Sequence, residues 1–441
     1  MPIVGAGHRR PPPKGDAVEP APTARTWMCA CQGAASGDST RLTDSLPILE
    51  ADHRNPPPRE SLPSALLYAI AAPVGGHGLG TTAAFSLRPS AEAGILKGVV
   101  AVSADRRWTG AARVRSLAWH PVRLARAALG PEASMQARKQ IVARKAARWL
   151  GGGSFDCFHG WSGEALDALL AARRRGCPAL LDIPTWHRDK GLRKPFYTQA
   201  DRERRAPWFE VTRQQVLTEY ALADLVLVQS RAAAESFLDA GFPGGKLFLL
   251  GRGVDPARFR PAARPDLFRL VFVGTLCRRK GVHLLLEAWR KLALRDAELV
   301  LVGGVADDLK TDLRADLPAS IRLVGFDPDP QRWLGQASAF VLPSSLEGAA
   351  KAVYEAAACG LPLIATRASG DVVADGVNGI VIPPDNPDAL ADAIRALHAD
   401  PDRAAALGQA SRRLVEERFT WQHHANRLLH AYAHARRLAG G

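Results

Sequence analysis

Glu347 and Glu355 form an E-x7-E pair within Pro343-Ser344-Ser345-Leu346-Glu347-Gly348-Ala349-Ala350-Lys351-Ala352-Val353-Tyr354-Glu355. Two carboxylates held on one loop and one helix can accept hydrogen bonds from neighbouring hydroxyls of a sugar and a ribose. A loop acid plus a solvated helix acid is the plainer reading. Glu355, however, is flanked by Val353, Tyr354, Ala356, Ala357 and Ala358, a poor setting for a fully exposed carboxylate. Upstream, Ala339-Phe340-Val341-Leu342 has the pattern of a buried strand, and Gly360-Leu361-Pro362 stops the helix downstream. Strand, tight loop and helix together set Gly348 and the following amides of Ala349, Ala350 and Lys351 at a helix N-terminus. Orphan N–H groups and the helix dipole favour an anion there. The chemistry is that of a phosphate or sugar-hydroxyl site.

Cations and glycines that would serve such a site occur elsewhere. Leu270-Val271-Phe272-Val273-Gly274 reads as a strand, and Lys280, with Arg279 beside it, stands at the mouth of the helix that starts at Val282. Both could neutralise a pyrophosphate, whereas Arg278 reads equally well as part of a solvated turn. Pro73-Val74-Gly75-Gly76-His77-Gly78 follows the apolar run of residues 65–71, and such a loop lets backbone amides approach a diphosphate or is simply a tight turn. Phe155 to Trp161 predicts a short strand ending at His159, and Thr185-Trp186-His187-Arg188 follows the strand of residues 178–183. Residues just past the carboxyl ends of parallel strands face the ligand crevice, which places His159, and with less force His187, at it. Asp327-Pro328-Asp329 is a formal D-x-D but precedes a helix at Gln331, and reads as an N-cap with proline in the first turn. No metal is expected.

The run Pro343 to Gly348, with Glu355-Ala356 and Cys359-Gly360-Leu361-Pro362-Leu363-Ile364-Ala365-Thr366, resembles the signature of the retaining family-4 glycosyltransferases. The resemblance extends from about residue 65 to the C-terminus. It implies the α/β GT-B fold, two Rossmann-like doubly wound domains facing a central cleft. It also implies a nucleotide diphosphate-sugar donor, UDP- or GDP-linked, held mainly by the second domain. Transfer would go to a hydroxyl of a glycan or lipid-linked acceptor, in cell-surface polysaccharide or glycolipid synthesis, with retention and without metal or cofactor. The resemblance assigns Gly75 and Gly76 to the donor phosphates and sets His159 beside the transferred sugar. On this reading His159 and Glu347 are the catalytic pair, while Arg279, Lys280, Gly348, Ala349, Ala350, Lys351 and Glu355 bind the donor. The leaving phosphate itself would take the acceptor proton, so no dedicated nucleophile is required. Many members carry Arg where this chain has Thr275, and that contact is reassigned to Arg279 or Arg278.

With 441 residues, 47% hydrophobic and 23% charged, the chain has the make-up of a two-domain α/β protein. Residues 1–62, with Pro11-Pro12-Pro13 and Pro56-Pro57-Pro58, read as a low-complexity or disordered extension. Residues 63–262 would form the acceptor-binding domain and 263–418 the nucleotide-sugar domain; 419–441 would be a helix packing back on the first. No apolar run reaches membrane-spanning length and no signal-peptide pattern opens the chain, so a cytoplasmic location is expected. Six cysteines without paired spacing imply reduced thiols. A net charge of +14 suits an anionic membrane surface or a charged acceptor, while the basic helix near residues 134–150 reads first as a solvated face and second as a membrane- or acceptor-facing one. No motif or aromatic–basic interleaving points to nucleic acid. Three rivals remain. A hydrolase would use the two glutamates as acid and nucleophile, and a dehydrogenase would need a G-x-G-x-x-G that is absent. A non-catalytic sugar-nucleotide-binding subunit is the third, and Thr275 keeps it open.

Overall fold

The computed structural model describes residues 47–118, 120, 126–192, 199–263, 265–314 and 317–440. Its first sheet is built from β1 (Leu66–Pro73), β2 (Leu96–Ser103), β3 (Arg113–Ser116), β4 (Cys157–Trp161), β5 (Ala179–Asp182), β6 (Leu225–Val228) and β7 (Leu247–Leu249). They lie in the order β3-β2-β1-β4-β5-β6-β7, with every pair parallel. The second sheet comprises β8 (Phe268–Val273), β9 (Ala297–Val302), β10 (Ile321–Gly325), β11 (Ala339–Leu342), β12 (Leu363–Ala365) and β13 (Gly379–Val381), ordered β10-β9-β8-β11-β12-β13 and again all parallel. Parallel neighbours need crossover helices, which cover both faces, so central strands read as continuous apolar runs. Strands β4, β5, β6 and β11 are buried at every position. In both sheets the order reverses beside the first strand, between β1 and β4 and between β8 and β11. Such switch points open a crevice at the carboxyl ends of the strands.

One apolar core fills the second sheet's layers, and two more lie on the faces of the first. The helix Trp421–Gly440 packs on the helix Leu79–Glu92 and on β4 and β5 of the first sheet. It is anchored where the chain passes between the sheets. Val254 N–H donates to Phe419 O at 2.8 Å, Trp421 N–H donates to Val254 O at 3.2 Å, and Trp421 stacks on Phe85 with centroids 4.1 Å apart.

The structure departs from the sequence reading in three places. Strand β4 does not end at His159 but continues through Gly160 and Trp161, pairing His159 with Leu180 and Trp161 with Asp182. Residues 47–62, expected to belong to a disordered extension, lie against the fold: Leu49 bridges Phe248, Glu50 pairs with Arg231 at 2.5 Å, and Leu62 is buried. Asp327 does not cap a helix; its carboxylate accepts from Asp329 N–H (2.9 Å) and Trp333 Nε1–H (2.8 Å) and pairs with Arg332. The rest of the extension, with Cys29 and Cys31, lies outside the described residues. The other four cysteines are buried free thiols.

Candidate functional site

The loop after β11 carries the first carboxylate. Glu347 Oε1 lies 2.7 Å from Lys280 Nζ and 2.7 Å from an Arg279 guanidinium nitrogen, and accepts from Ser344 Oγ at 3.2 Å. Arg279 is further fixed by donating to Leu346 O at 2.5 Å. Burial alone would raise the Glu347 pKa, but Lys280 and then Arg279 outweigh it and hold the carboxyl below its usual range. The turn Arg278–Lys280 ends on Gly281, whose φ of +70° is in the left-handed region; a Cβ there would stand 2.2 Å from Pro343 O. This glycine lets the turn after β8 sit directly beneath the loop after β11. Arg278 points elsewhere, to Asp312 at 2.8 Å.

Beyond Glu347 the chain enters the helix Lys351–Ala358. Among the described residues the Gly348 and Ala349 N–H groups donate to no protein acceptor, whereas Ala350 N–H already donates to Ser369 O at 2.8 Å. Glu355 is 3% exposed, and Lys351 Nζ lies 3.0 Å from its Oε1. Burial raises its pKa, against the pull of Lys351, Arg252 and Arg258. The glycine loop after β1 enters the helix Leu79–Glu92. Gly75 has φ +82°, and a Cβ on it would meet Trp108 Nε1 at 2.6 Å; Thr81 Oγ1–H closes the loop by donating to Gly76 O at 2.6 Å.

These parts meet across the crevice. A Cβ on Gly348 would stand 2.3 Å from Pro184 O, just past β5. His77 of the glycine loop lies edge-on to Phe326, past β10, at 6.0 Å between centroids. Arg252, which the sequence reading passed over, joins both sides: its guanidinium donates to Thr82 Oγ1 at 3.1 Å and to Ala349 O at 3.3 Å. Burial lowers its pKa, opposed by the charges of Glu355, Tyr354, Asp182 and Glu347. Its placement between Gly251 and Gly253 at the exit from the first sheet was the available signal.

His159 is not brought into this group. It is fully enclosed, with Nδ1 hydrogen-bonded to Tyr432 Oη at 2.8 Å and Nε2 3.8 Å from Asp182 Oδ2. His187 is buried among Tyr220 and Phe237, and burial lowers its pKa to about 4. It is neutral at physiological pH, and its Nδ1 accepts the Asp189 N–H at 3.3 Å.

Two family models match the chain: that of glycosyltransferase family 4 over residues 99–258 and that of glycosyl transferases group 1 over residues 268–400. The chain belongs to the family-4, group 1 glycosyltransferases. It is similar to the amylovoran biosynthesis glycosyltransferase AmsK of Erwinia amylovora, 29% identical over 200 residues, which are 40% of this chain and 49% of AmsK. It thus spans about half the length of that relative. Among solved structures, sucrose-phosphate synthase of Thermosynechococcus elongatus superposes with a TM-score of 0.66 at 20% identity, over 86% of this chain and all of that one. HepE of Anabaena, solved in complex with UDP-glucose, gives 0.61 at 18% identity over 83% and 98%. Both bear on the fold, which is GT-B.

Proposed function

We propose that the chain transfers a sugar from a nucleotide diphosphate-sugar, UDP- or GDP-linked, to a hydroxyl of a glycan or lipid-linked acceptor. The reaction on this reading retains the anomeric configuration and needs no metal. The observation that carries it is the convergence of Lys280 and Arg279 on Glu347 beside the amides of Gly348 and Ala349. A diphosphate entering there would meet two cations already paid for by their pairing with a carboxylate, and two N–H groups without acceptors. Gly75 and Gly76 shape the facing loop of the first domain, with their own N–H groups already donating to Gly80 O and Pro73 O, and Glu355 takes the ribose hydroxyls with Lys351 as its counter-charge. Glu347, freed from the cations, faces the sugar. Polysaccharide synthesis is the setting that relatives such as AmsK support. The excess positive charge suits work at the inner face of an anionic membrane, and among the described residues no helix is long and apolar enough to cross one.

The enclosure of His159 favours a second reading, a sugar-nucleotide-binding subunit without turnover. Calorimetry of UDP- and GDP-sugars with EDTA present tests donor binding, with Glu355→Ala as the variant expected to abolish it. NMR of the product anomer then separates the readings. Binding with no transfer to any acceptor supports the subunit, and binding unaffected by Glu355→Ala removes the site.

A further inference from the structure

A cavity of about 260 Å³ lies where the helix Arg231–Leu238, the loop after β12 and the entry to the last helix meet. Arg231, Arg367, Arg418 and Arg427 line it together with Glu50 and Asp371. Lys280, Arg279, Glu347 and the glycine loop do not. Four guanidinium groups against two carboxylates leave two positive charges in excess.

The carboxylates are largely committed. Glu50 pairs with Arg231, and both oxygens of Asp371 accept the Arg231 N–H at 3.0 Å, so this acid already fills the start of the helix. Arg367 leans outward to Glu235 at 3.1 Å. Arg427 is different. It is 8% exposed, donates from Nε to Leu250 O at 2.6 Å and from NH1 to Arg418 O at 3.1 Å, and leaves NH2 buried with no hydrogen-bond partner. Gly251 lines the cavity beneath it, and a Cβ there would stand only 3.2 Å from that NH2. A buried guanidinium donor without an acceptor is costly, and an anion in the cavity would offset the charge it carries. The planar fork of arginine matches the oxygens of a phosphate, and the volume is that of roughly nine water molecules, room for phosphate with a small organic group.

We propose that this cavity is a second anion site, distinct from the donor cleft, that binds a phosphate dianion, free or as the monoester of a small molecule. Because it is walled by both sheets' units and by the closing helix, its ligand cross-links the three.

Calorimetry on the full chain in a chloride buffer, titrating inorganic phosphate and glycerol 3-phosphate at constant ionic strength, tests this. Saturable binding is expected that survives Lys280→Met in the donor cleft and weakens at least tenfold in Arg418→Glu, whose side chain is exposed. Arg427→Met should abolish it, and Arg418→Glu decides if that variant does not fold. Tighter binding of glycerol 3-phosphate identifies a monoester site, and equal binding a site for free phosphate; both support the proposal. Binding lost in Lys280→Met but intact in Arg418→Glu, or no saturable binding above chloride, overturns it.

Discussion

Lys280 and Arg279 both direct their charge to Glu347 Oε1, and on the proposed reading the donor diphosphate competes for the same two cations. Removing one cation should therefore weaken donor binding while leaving the fold intact. A hydrogen bond to a charged group contributes about 1.5–3 kcal/mol, so Lys280→Met is expected to raise the donor Kd roughly 10- to 100-fold by calorimetry. An unchanged Kd would remove Lys280 from the site. A second carboxylate gives a pH signature. Glu164 is 7% exposed and accepts Ala71 N–H at 2.7 Å; burial raises its pKa from 4.5 to about 7, with Glu219 adding and Ala71 N–H and Lys139 opposing. Between those values the folded state keeps a proton that the unfolded state has released, so stability falls as pH rises through the window and levels off above it. The loss is on the order of 3 kcal/mol. Glu164→Gln keeps an acceptor for Ala71 N–H and removes the titration. Its urea midpoint should exceed the wild-type value at pH 8 and approach it at pH 5, and parallel pH profiles would refute the assignment.

At the scale of elements, the last helix is the piece that holds His159. Tyr432, fully buried, bonds His159 Nδ1, while Ser86 and Gly251 O hold the His424 ring of the same helix at 3.3 and 3.0 Å. Tyr432→Phe leaves a buried ring nitrogen unsatisfied and should cost about 1–3 kcal/mol, read as a lower denaturant midpoint at unchanged slope. Turnover unchanged in the same variant would confine His159 to a structural role, and turnover lost at full donor affinity would make it a positioning residue. The contact also marks the limit of the sequence. The strand–loop–helix around Glu347 was legible because an apolar run, a glycine and an Ala-rich helix succeed one another in register with burial. The five residues of β4 are all buried, so nothing in their pattern marks where the strand stops, and Tyr432 lies 273 positions away. Strand β3, Arg-Val-Arg-Ser at a sheet edge, carries too little apolar signal to be seen, and β13 is only three residues long and starts on a glycine. The helix Pro401–Arg418, polar on most of its surface, escaped for the same reason. Arg252 offered only its setting between Gly251 and Gly253 as a signal, because its partners Thr82 and Ala349 come from opposite sides of the cleft.

For the whole molecule, the decisive contact is the approach of Gly348 to Pro184. One lies on the loop after β11 and the other just past β5, so their separation measures how far the two sheets' units have closed on each other. A methyl group on Gly348 would be 2.3 Å from Pro184 O and 2.8 Å from Pro184 C. Both are backbone atoms and cannot rotate away. The units would have to separate by about an ångström, because packed atoms do not interpenetrate and the backbone on either side is tied into its own sheet. Each unit has its own core, so Gly348→Ala should leave the thermal midpoint almost unchanged. Catalysis is another matter: a misplacement of that size between donor and acceptor groups is enough to lower the rate about 100-fold. The expected result is therefore a large fall in kcat, with a smaller loss of donor affinity, since Lys280, Arg279 and Glu355 all belong to the second unit and keep their geometry. If Gly348→Ala instead lowered the melting temperature and spared kcat, the contact would be part of a fixed interface, and the crevice would not need to close for transfer to occur.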